Sequence, residues 1–178
     1  VVATSYEVLK KCTNSNLDTV SGGLPPEWCS IKKNDLSVIA PSQNGFSTEY
    51  GYNAFRVPLR VMMDFQWNHA PEALDYFNSF SLLANKWKQD KKLVAVYKHD
   101  GTPLQSYETV AAYSGALGYF LATDRKTAKV MYDTKIFGKY YEDQNNAYWD
   151  DPKNYYTQNM GWFGTALYSN MLPNLWTN

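Results

Sequence analysis

The strongest constraint on the fold is a helical period that recurs along nearly the whole chain. Apolar residues return every three to four positions in segments of about 12 to 17 residues, which is the pattern of amphipathic helices. Short turns and long, aromatic-rich loops alternate between these segments. In a ring of helical hairpins, tight turns lie at one end and long loops build a groove at the other. We therefore predict an all-α fold whose helices lie near 4–12, 52–65, 71–87, 107–121, 124–136 and 155–171.

One segment departs from the helical period. Residues 91–107, KKLVAVYKHDGTPLQSY, alternate between apolar and polar and contain Asp100-Gly101, a pair that favours tight turns, so we expect one short β-hairpin there. The glycines and prolines of 22–29, GGLPPEWC, predict an irregular loop of defined shape. Residues 30–48 show no sustained period and predict a second long loop, a kind of segment that often carries function.

Length and charge narrow the class of protein. A chain of 178 residues is long enough for one core, and we treat 1–178 as one domain. Its 17 basic and 17 acidic residues are scattered, which argues against a nucleic-acid partner. No apolar run is long enough to cross a membrane, and the first residues lack the basic stretch followed by an apolar run that is typical of a signal peptide. The first residues already follow the helical pattern without a methionine, so we expect a segment of a larger protein.

The side chains that commonly hold metals or form disulfides are few. His69 and His99 have no second ligand at helical spacing, so no metal site and no cofactor are predicted. Cys12 and Cys29 could pair across the loop between them or remain thiols, and the sequence leaves both possibilities open. The prediction of function therefore rests on other residues.

Aromatic residues make up 16% of the chain, with fifteen Tyr and six Trp. A buried phenol needs a hydrogen-bond partner, so this surplus is more typical of a wet groove than of a core. A sugar ring offers apolar C–H faces with hydroxyl groups at its rim, which suits such a groove. A tyrosine-rich surface that binds a protein would have the same composition.

The segment 47–65, STEYGYNAFRVPLRVMMDF, concentrates polar side chains within an apolar helical stripe. Tyr52, Asn53 and Arg56 are not needed to fill a core, so a site is the sharper explanation. Arg56 follows Asn53 by three residues, which places both side chains on one side of a helix. If the helix began early, Glu49 would lie one turn before Asn53 on that face. Otherwise the charge of Glu49 simply favours the helix N-terminus.

The same segment carries a resemblance to a known family. YGYNAFRVPLRVMMDF is similar to the signature region of glycoside hydrolase family 8, in which Tyr-Asp-Ala-x-Arg-Val-Pro-x-Arg precedes an apolar helix. TSYEVL and GGLPPEWC resemble the helix and the Gly-Leu-x-Pro-Asp-Trp loop that come before it. NYYTQNMGWFGTALYSNMLPNLW resembles the closing helix. The motifs follow the family's order across essentially the whole chain.

The resemblance implies a partial (α/α)6 barrel, namely the C-terminal half of a family 8 catalytic domain. It also implies an endo-acting O-glycosyl hydrolase that cuts β-1,4-linked polysaccharide with inversion, the candidates being cellulose, β-glucan, xylan and chitosan. The family's general acid is a glutamate outside this half. We therefore expect the chain to be inactive alone and to associate with the missing N-terminal half or with itself. A secreted or cell-surface location is expected.

By the same resemblance, Asn53 stands where many members have the aspartate that serves as general base. An amide has no basic form at neutral pH and cannot take a proton from water. In some members with Asn here, the base is a glutamate from the loop just upstream, which points to Glu49. Asn at this position also favours members that act on lichenan or chitosan. The alternative is a carbohydrate-binding or assembly remnant that has lost catalysis.

The remaining predictions at the site concern substrate contacts. Arg56 is expected to hold a carboxylate ionised and to bond a sugar hydroxyl. Tyr52 is a natural stacking platform for the sugar at the cleavage point. Tyr155 and Tyr156, at the start of the last helix, are expected to reach sugars on the leaving side.

The remaining residues are assigned by pattern. Trp28 could line the groove or pack against the end of the barrel. Trp162, Phe163, Leu167 and Tyr168 recur at helical spacing in the last helix and are expected in the core.

Overall fold

The computed structural model describes residues 2–79 and 81–175, and much of this part of the chain is helical. Its α-helices are α1 Val2–Asn14, α2 Arg56–Asn68, α3 Pro71–Asn78, α4 Leu82–Asp90, α5 Val110–Thr123, α6 Arg125–Met131 and α7 Tyr155–Tyr168. A π-helical turn, Tyr132–Ile136, and a 3-10 turn, Phe137–Lys139, follow α6. The predicted helical fold class is confirmed.

Helix α5 forms the centre of the core. Each residue from Val110 to Leu121 is buried, because α2, α3, α6 and α7 pack around the helix. Its sequence, VAAYSGALGYFLAT, is apolar around nearly the whole circumference, which is typical of a helix enclosed on every side. Thr109 caps its start by accepting a hydrogen bond from the backbone N–H of Ala112 at 3.1 Å.

Two glycines of α5 let the start of α2 approach closely. A Cβ on Gly115 would lie 2.6 Å from the carbonyl oxygen of Phe55, and one on Gly118 would lie 2.3 Å from that of Pro58. Both distances are shorter than real Cβ contacts, so the two backbones touch where glycine allows it. This contact fixes the position of the first turn of α2.

Helix α2 begins at Arg56 rather than near residue 52. Pro58 lies in the first turn, where its missing N–H removes no helical hydrogen bond. Residues 52–55 form turns instead, and the backbone N–H of Phe55 donates to the carbonyl of Gly51 at 2.9 Å. The predicted site residues therefore lie partly in these turns and partly in the first turn of the helix.

The predicted helix over 71–87 is divided in two. Helix α3 ends at Asn78, and α4 begins at Leu82. Ser79 explains the end of α3, since its hydroxyl donates to the carbonyl of Tyr76 at 2.6 Å and its N–H donates to the same carbonyl at 3.0 Å. Serine competes with helical hydrogen bonding in this way, and an apolar period does not reveal it.

Short β-strands form two antiparallel pairs among the described residues. β1, Ser30–Ile31, pairs with β2, Val38–Ile39, inside the segment predicted as a long loop. β3, Tyr140–Glu142, pairs with β4, Ala147–Trp149, in the loop before α7. Each pair is too short to form a core of its own.

The hairpin predicted at 91–107 is present in a reduced form: the N–H of Lys98 donates to the carbonyl of Thr102 at 2.8 Å and that of Leu104 to the carbonyl of Val96 at 2.9 Å, around one isolated antiparallel bridge. The chain does turn back after Asp100, where Gly101 has a φ of 86°. Tyr97, however, bridges to both Tyr50 and Pro103, without paired strands. Because Tyr97 also exchanges hydrogen bonds with Tyr50, at 2.9 and 3.0 Å, the segment pairs partly with the chain before α2.

Two residues predicted in the core lie at the surface. Trp162 is 55% exposed and Phe163 is 37% exposed, whereas Leu167 of the same helix, α7, is fully buried. The other face of α7 packs on α5, where Gly164 allows close approach. The helical period identifies an apolar stripe but does not say which part of it the chain itself covers.

Candidate functional site

The loop 22–29 is fixed against the segment that precedes α2. The backbone N–H of Glu27 donates to the carbonyl of Glu49 at 2.7 Å, and that of Trp28 donates to the carbonyl of Ser47 at 3.0 Å. The three residues before Glu27 are buried, and two of them are prolines with a fixed φ. The side chain of Glu27 is therefore presented from a rigid support.

The side chain of Asn53 lies between Glu27 and Arg56. Asn53 Nδ2 donates to Glu27 Oε2 at 3.2 Å, and the backbone N–H of Asn53 donates to Glu27 Oε1 at 3.3 Å. On the other side, Arg56 Nη2 donates to Asn53 Oδ1 at 2.5 Å, and Arg56 Nε donates to the Asn53 carbonyl at 3.3 Å. One amide thus joins an acidic and a basic side chain.

Gly51 provides room for the Glu27 carboxyl group. A Cβ at position 51 would lie 2.6 Å from Glu27 Oε1, so any side chain there would displace that oxygen. The φ of Gly51 lies outside the left-handed region, so the glycine serves close approach rather than backbone conformation.

Two tyrosine rings lie beside the amide. The rings of Tyr52 and Tyr156 meet edge to face with centroids 5.4 Å apart, and the Tyr156 hydroxyl donates to the Tyr52 carbonyl. The hydroxyls of Tyr52 and Tyr107 are 3.2 Å apart. Burial raises the pKa of both Tyr52 and Tyr156 to about 12, and the charge of Glu27 adds to both shifts. Both phenols are therefore neutral hydrogen-bonding groups at neutral pH.

A groove of about 420 Å³ opens beside the tyrosines, between α2 and α7. Its lining combines apolar side chains with two arginines and an amide: Arg56, Leu59, Arg60, Met63, Tyr156, Asn159, Met160 and Phe163. Among the described residues, no carboxylate belongs to this lining. Flat apolar faces next to hydrogen-bond donors suit a polar ligand that also has apolar faces.

The structure brings together three of the residues predicted for the site. Tyr52, Asn53 and Arg56 lie around one point at the start of α2. Glu49 lies in the segment before them, and its Oε2 accepts from Ser47 Oγ at 3.4 Å. Because α2 begins at Arg56, the expected placement of Glu49 one helical turn before Asn53 does not occur.

The other predicted contacts surround this point. Tyr156 adjoins Tyr52, whereas its neighbour Tyr155 is 80% exposed. Trp28 is 43% exposed, and its ring packs edge to face on Phe46 with centroids 4.6 Å apart. Trp28 thus has both a packed edge and a free surface.

Glu27 has a place at the site that the sequence did not predict. A signal was present, because Glu27 is the only acidic residue of the loop GGLPPEWC. Its contact with Asn53 joins residues 26 positions apart and depends on how the loop docks. Neither spacing nor periodicity reports such docking.

Three further observations concern metal ligands, membrane spans and the cysteines. In residues 2–79 and 81–175, no group of three or more His, Cys, Asp or Glu is placed to hold a metal ion. In the same ranges, no helix is both long and apolar enough to cross a bilayer. Cys12 Sγ and Cys29 Sγ are 2.7 Å apart, so the two cysteines are adjacent at the end of the loop that carries Glu27.

Comparisons with known proteins give a structural result. Neither protein-family models nor curated proteins match the sequence. The structure superimposes on a β-1,3-1,4-glucanase from Paenibacillus sp. X4 with a TM-score of 0.73 and 19% identity, covering 98% of this chain and 44% of that one. An endo-1,4-D-glucanase from Vibrio fischeri ES114 superimposes with a TM-score of 0.63 and 16% identity, covering 94% of this chain and 43% of that one. A GH8 xylobiose complex from Teredinibacter turnerae superimposes with a TM-score of 0.57 and 16% identity, covering 93% of this chain and 37% of that one.

These neighbours define the fold. The described helices match part of the (α/α)6 barrel of GH8 enzymes, which confirms the predicted fold class. The neighbours are of the family to which the sequence motifs pointed. The chain spans less than half the length of each of the three. At 16–19% identity, the similarity establishes the fold and leaves the activity to be tested.

Proposed function

We propose that the protein is a glycoside hydrolase that cuts a β-linked polysaccharide, with this chain forming part of a larger (α/α)6 barrel. The observation that carries the proposal is the amide of Asn53, held between Glu27 and Arg56 beside the rings of Tyr52 and Tyr156. Structural neighbours described as glucanases support it at the level of fold.

The proposed reaction is hydrolysis with inversion. A water molecule attacks the anomeric carbon and loses a proton to a carboxylate. At the same time the glycosidic C–O bond breaks, and the leaving oxygen takes a proton from a carboxylic acid on the opposite face. In this proposal the acid comes from the part of the barrel outside this chain. The two carboxyl groups must lie roughly 6.5–9.5 Å apart to admit the water.

Glu49 is the proposed general base. Asn53 can bind the attacking water with the N–H and the oxygen lone pair that Glu27 and Arg56 leave free, but it cannot take a proton. Both oxygens of Glu27 accept hydrogen bonds from Asn53. Within the described residues, the Glu49 carboxyl group has one long contact, 3.4 Å from Ser47 Oγ. Glu49 therefore keeps the lone pairs that a base needs.

The charge of the groove favours a neutral substrate. A groove for chitosan, a polycation, should be locally acidic. The described lining instead contains Arg56 and Arg60 without a carboxylate. Their N–H groups can bond to the hydroxyls of an uncharged sugar. Because one neighbour is described as a β-1,3-1,4-glucanase, mixed-linkage β-glucan is the first substrate to test.

The exposed face of α7 suggests where the rest of the barrel packs. Trp162, which is 55% exposed, and Tyr155, which is 80% exposed, present aromatic surface that the described residues do not cover. Soluble proteins seldom leave such a patch open without a partner. We propose that the remaining helices of the complete barrel cover it.

The test is the release of reducing sugar by the complete protein from mixed-linkage β-glucan, cellulose, xylan and chitosan. We expect mixed-linkage β-glucan to be cut and chitosan to be left intact. Glu49→Gln, which keeps the size of the side chain and removes its basicity, should lower kcat by about 100-fold or more. Glu7→Gln, on the exposed surface of α1, is the matched control and should leave kcat unchanged.

Two results would contradict the proposal at different levels. Full activity of Glu49→Gln would remove Glu49 from the role of base. Release of no sugar from any of the four polysaccharides would remove hydrolysis itself. Co-sedimentation of the protein with insoluble polysaccharide would then decide whether carbohydrate binding is its function.

A further inference from the structure

The hydrogen bonds around Asn53 have a fixed polarity. A guanidinium can only donate, so the Asn53 atom that faces Arg56 Nη2 at 2.5 Å is the oxygen. An ionised carboxylate can only accept, so the atom 3.2 Å from Glu27 Oε2 is the amide nitrogen. The other oxygen of Glu27 accepts from the Asn53 backbone N–H. Only one orientation of the amide satisfies both neighbours.

We propose that Glu27 is a positioning residue for Asn53, and that positions 27 and 53 function only as a pair of one carboxylate and one amide. Glu27 acts through Asn53 because both of its oxygens bond to Asn53 and Oε1 lies against Gly51. The effect of the pair on activity rests on the proposed function. Its effect on folding is independent of that function.

Replacing Glu27 by glutamine creates a conflict that no rotation removes. If the new Nε2 takes the place of Oε2, it faces Asn53 Nδ2, and two donors oppose each other. If the glutamine amide flips, its Nε2 faces the Asn53 backbone N–H instead. If the Asn53 amide flips, Nδ2 faces the donors of Arg56. Every arrangement leaves one donor opposite another.

Replacing Asn53 by aspartate creates a different conflict, because a second carboxylate would lie about 3.2 Å from that of Glu27. Like charges in contact share a proton, so the pKa of the pair rises. Arg56 opposes this shift from α2, and Glu49 adds negative charge from the neighbouring segment. Because the pKa is raised in the folded state, the variant keeps its stability below the ordinary carboxyl pKa. Its stability then falls as the pH rises through the raised pKa.

The double variant Glu27→Gln/Asn53→Asp restores every hydrogen bond. The bond between the two side chains now runs from donor 27 to acceptor 53 instead of the reverse. The new glutamine accepts the backbone N–H at position 53 through its oxygen and donates through Nε2 to one oxygen of the new aspartate. Arg56 donates to the other oxygen. The pair again carries one negative charge. Two harmful substitutions should therefore cancel when they are combined.

The experiment compares the complete protein with both single variants, the double variant and Glu7→Gln as the surface control. The melting temperature at pH 8 and kcat/KM on mixed-linkage β-glucan are measured for each. Each single variant should melt about 2–10 °C lower and lose about tenfold to hundredfold in kcat/KM, the range for one unpaired polar group that is at least partly buried. The double variant should recover most of both losses. The melting deficit of Asn53→Asp should shrink at pH 4.

Two results would overturn the inference. One is a double variant whose losses equal the sum of the single losses. The other is a pair of single variants that melt and react like Glu7→Gln. If the unaltered protein cuts no polysaccharide, the proposed function fails, and the melting temperatures alone still decide whether positions 27 and 53 form an obligatory pair.

Discussion

Replacing Gly115 with alanine should disturb the site through the backbone of α2. The added Cβ would lie 2.6 Å from the carbonyl oxygen of Phe55, 2.7 Å from its Cβ and 2.9 Å from its Cα, whereas ordinary contact begins near 3.4 Å. Phe55 lies between Asn53 and Arg56 in sequence, and its side chain is fully buried. The first turn of α2 must therefore shift by roughly 0.5–1 Å in a close-packed interior.

The magnitude follows from two opposing terms. Overpacking a core typically costs about 1–3 kcal/mol, and more when rigid atoms obstruct the new group. The obstructing atoms at Gly115 belong mainly to backbone, which cannot rotate away. The better helix propensity of alanine offsets about 1 kcal/mol. Because the obstruction is rigid, the cost should lie in the upper part of that range, about 2–3 kcal/mol, which leaves a net loss of about 1–2 kcal/mol in the free energy of unfolding. A displacement near 1 Å at a catalytic group can also lower the rate by about 100-fold.

Urea unfolding and kcat on mixed-linkage β-glucan measure the two effects. Gly138→Ala is the matched control, because Gly138 is exposed in the 3-10 turn and its Cβ would have one close neighbour, the carbonyl oxygen of Asp133 at 3.0 Å. The control should stay within about 1 kcal/mol of the unaltered protein. If Gly115→Ala were as stable and as active as Gly138→Ala, the backbone contact between α5 and α2 would not be what positions the site.

Mild oxidation should join Cys12 to Cys29, because their Sγ atoms are 2.7 Å apart. The disulfide should raise the free energy of unfolding by about 3 kcal/mol. Finding both thiols free by mass spectrometry after oxidation would argue against this. Burial raises the pKa of Glu108, but hydrogen bonds from Lys135 and Tyr113 outweigh it and leave the pKa lowered. The stability that these hydrogen bonds contribute is fully present above the ordinary Glu pKa, about 4.3, and is lost as the pH falls through the lowered pKa of Glu108. Glu108→Gln should flatten that part of the stability profile in urea unfolding, and an unchanged profile would contradict the assignment. The chain expressed alone should self-associate through the open face of α7, whereas a stable monomer by light scattering would contradict an uncovered face.

The helices could be predicted because burial leaves a period in the sequence. α5 is the plainest case: from Val110 to Leu121 its residues are almost all apolar or small, as enclosure on every side requires. The start of α2 was predicted less well, because Pro58 fixes the first turn while the turns of 52–55 lie before it. Local sequence therefore specifies the interior of a helix better than its ends.

What could not be predicted depends on contacts between distant segments. Tyr52, Asn53 and Arg56 were identified because they are close in sequence. Glu27 reaches Asn53 only because its loop docks on the segment before α2. In the same way, the exposure of Trp162 depends on which helices are present to cover α7. Neither property is encoded in spacing or propensity.

The most direct test of the central claim is proton NMR of the anomeric signals while the complete protein cuts a mixed-linkage β-glucan oligosaccharide. Spectra are recorded during the first minutes, before the products mutarotate. The account predicts that the α-anomer of the new reducing end appears first and that the β-anomer grows only as mutarotation proceeds. Initial formation of the β-anomer would contradict a water-holding site at Asn53, and the absence of any new anomeric signal would contradict the proposed hydrolase.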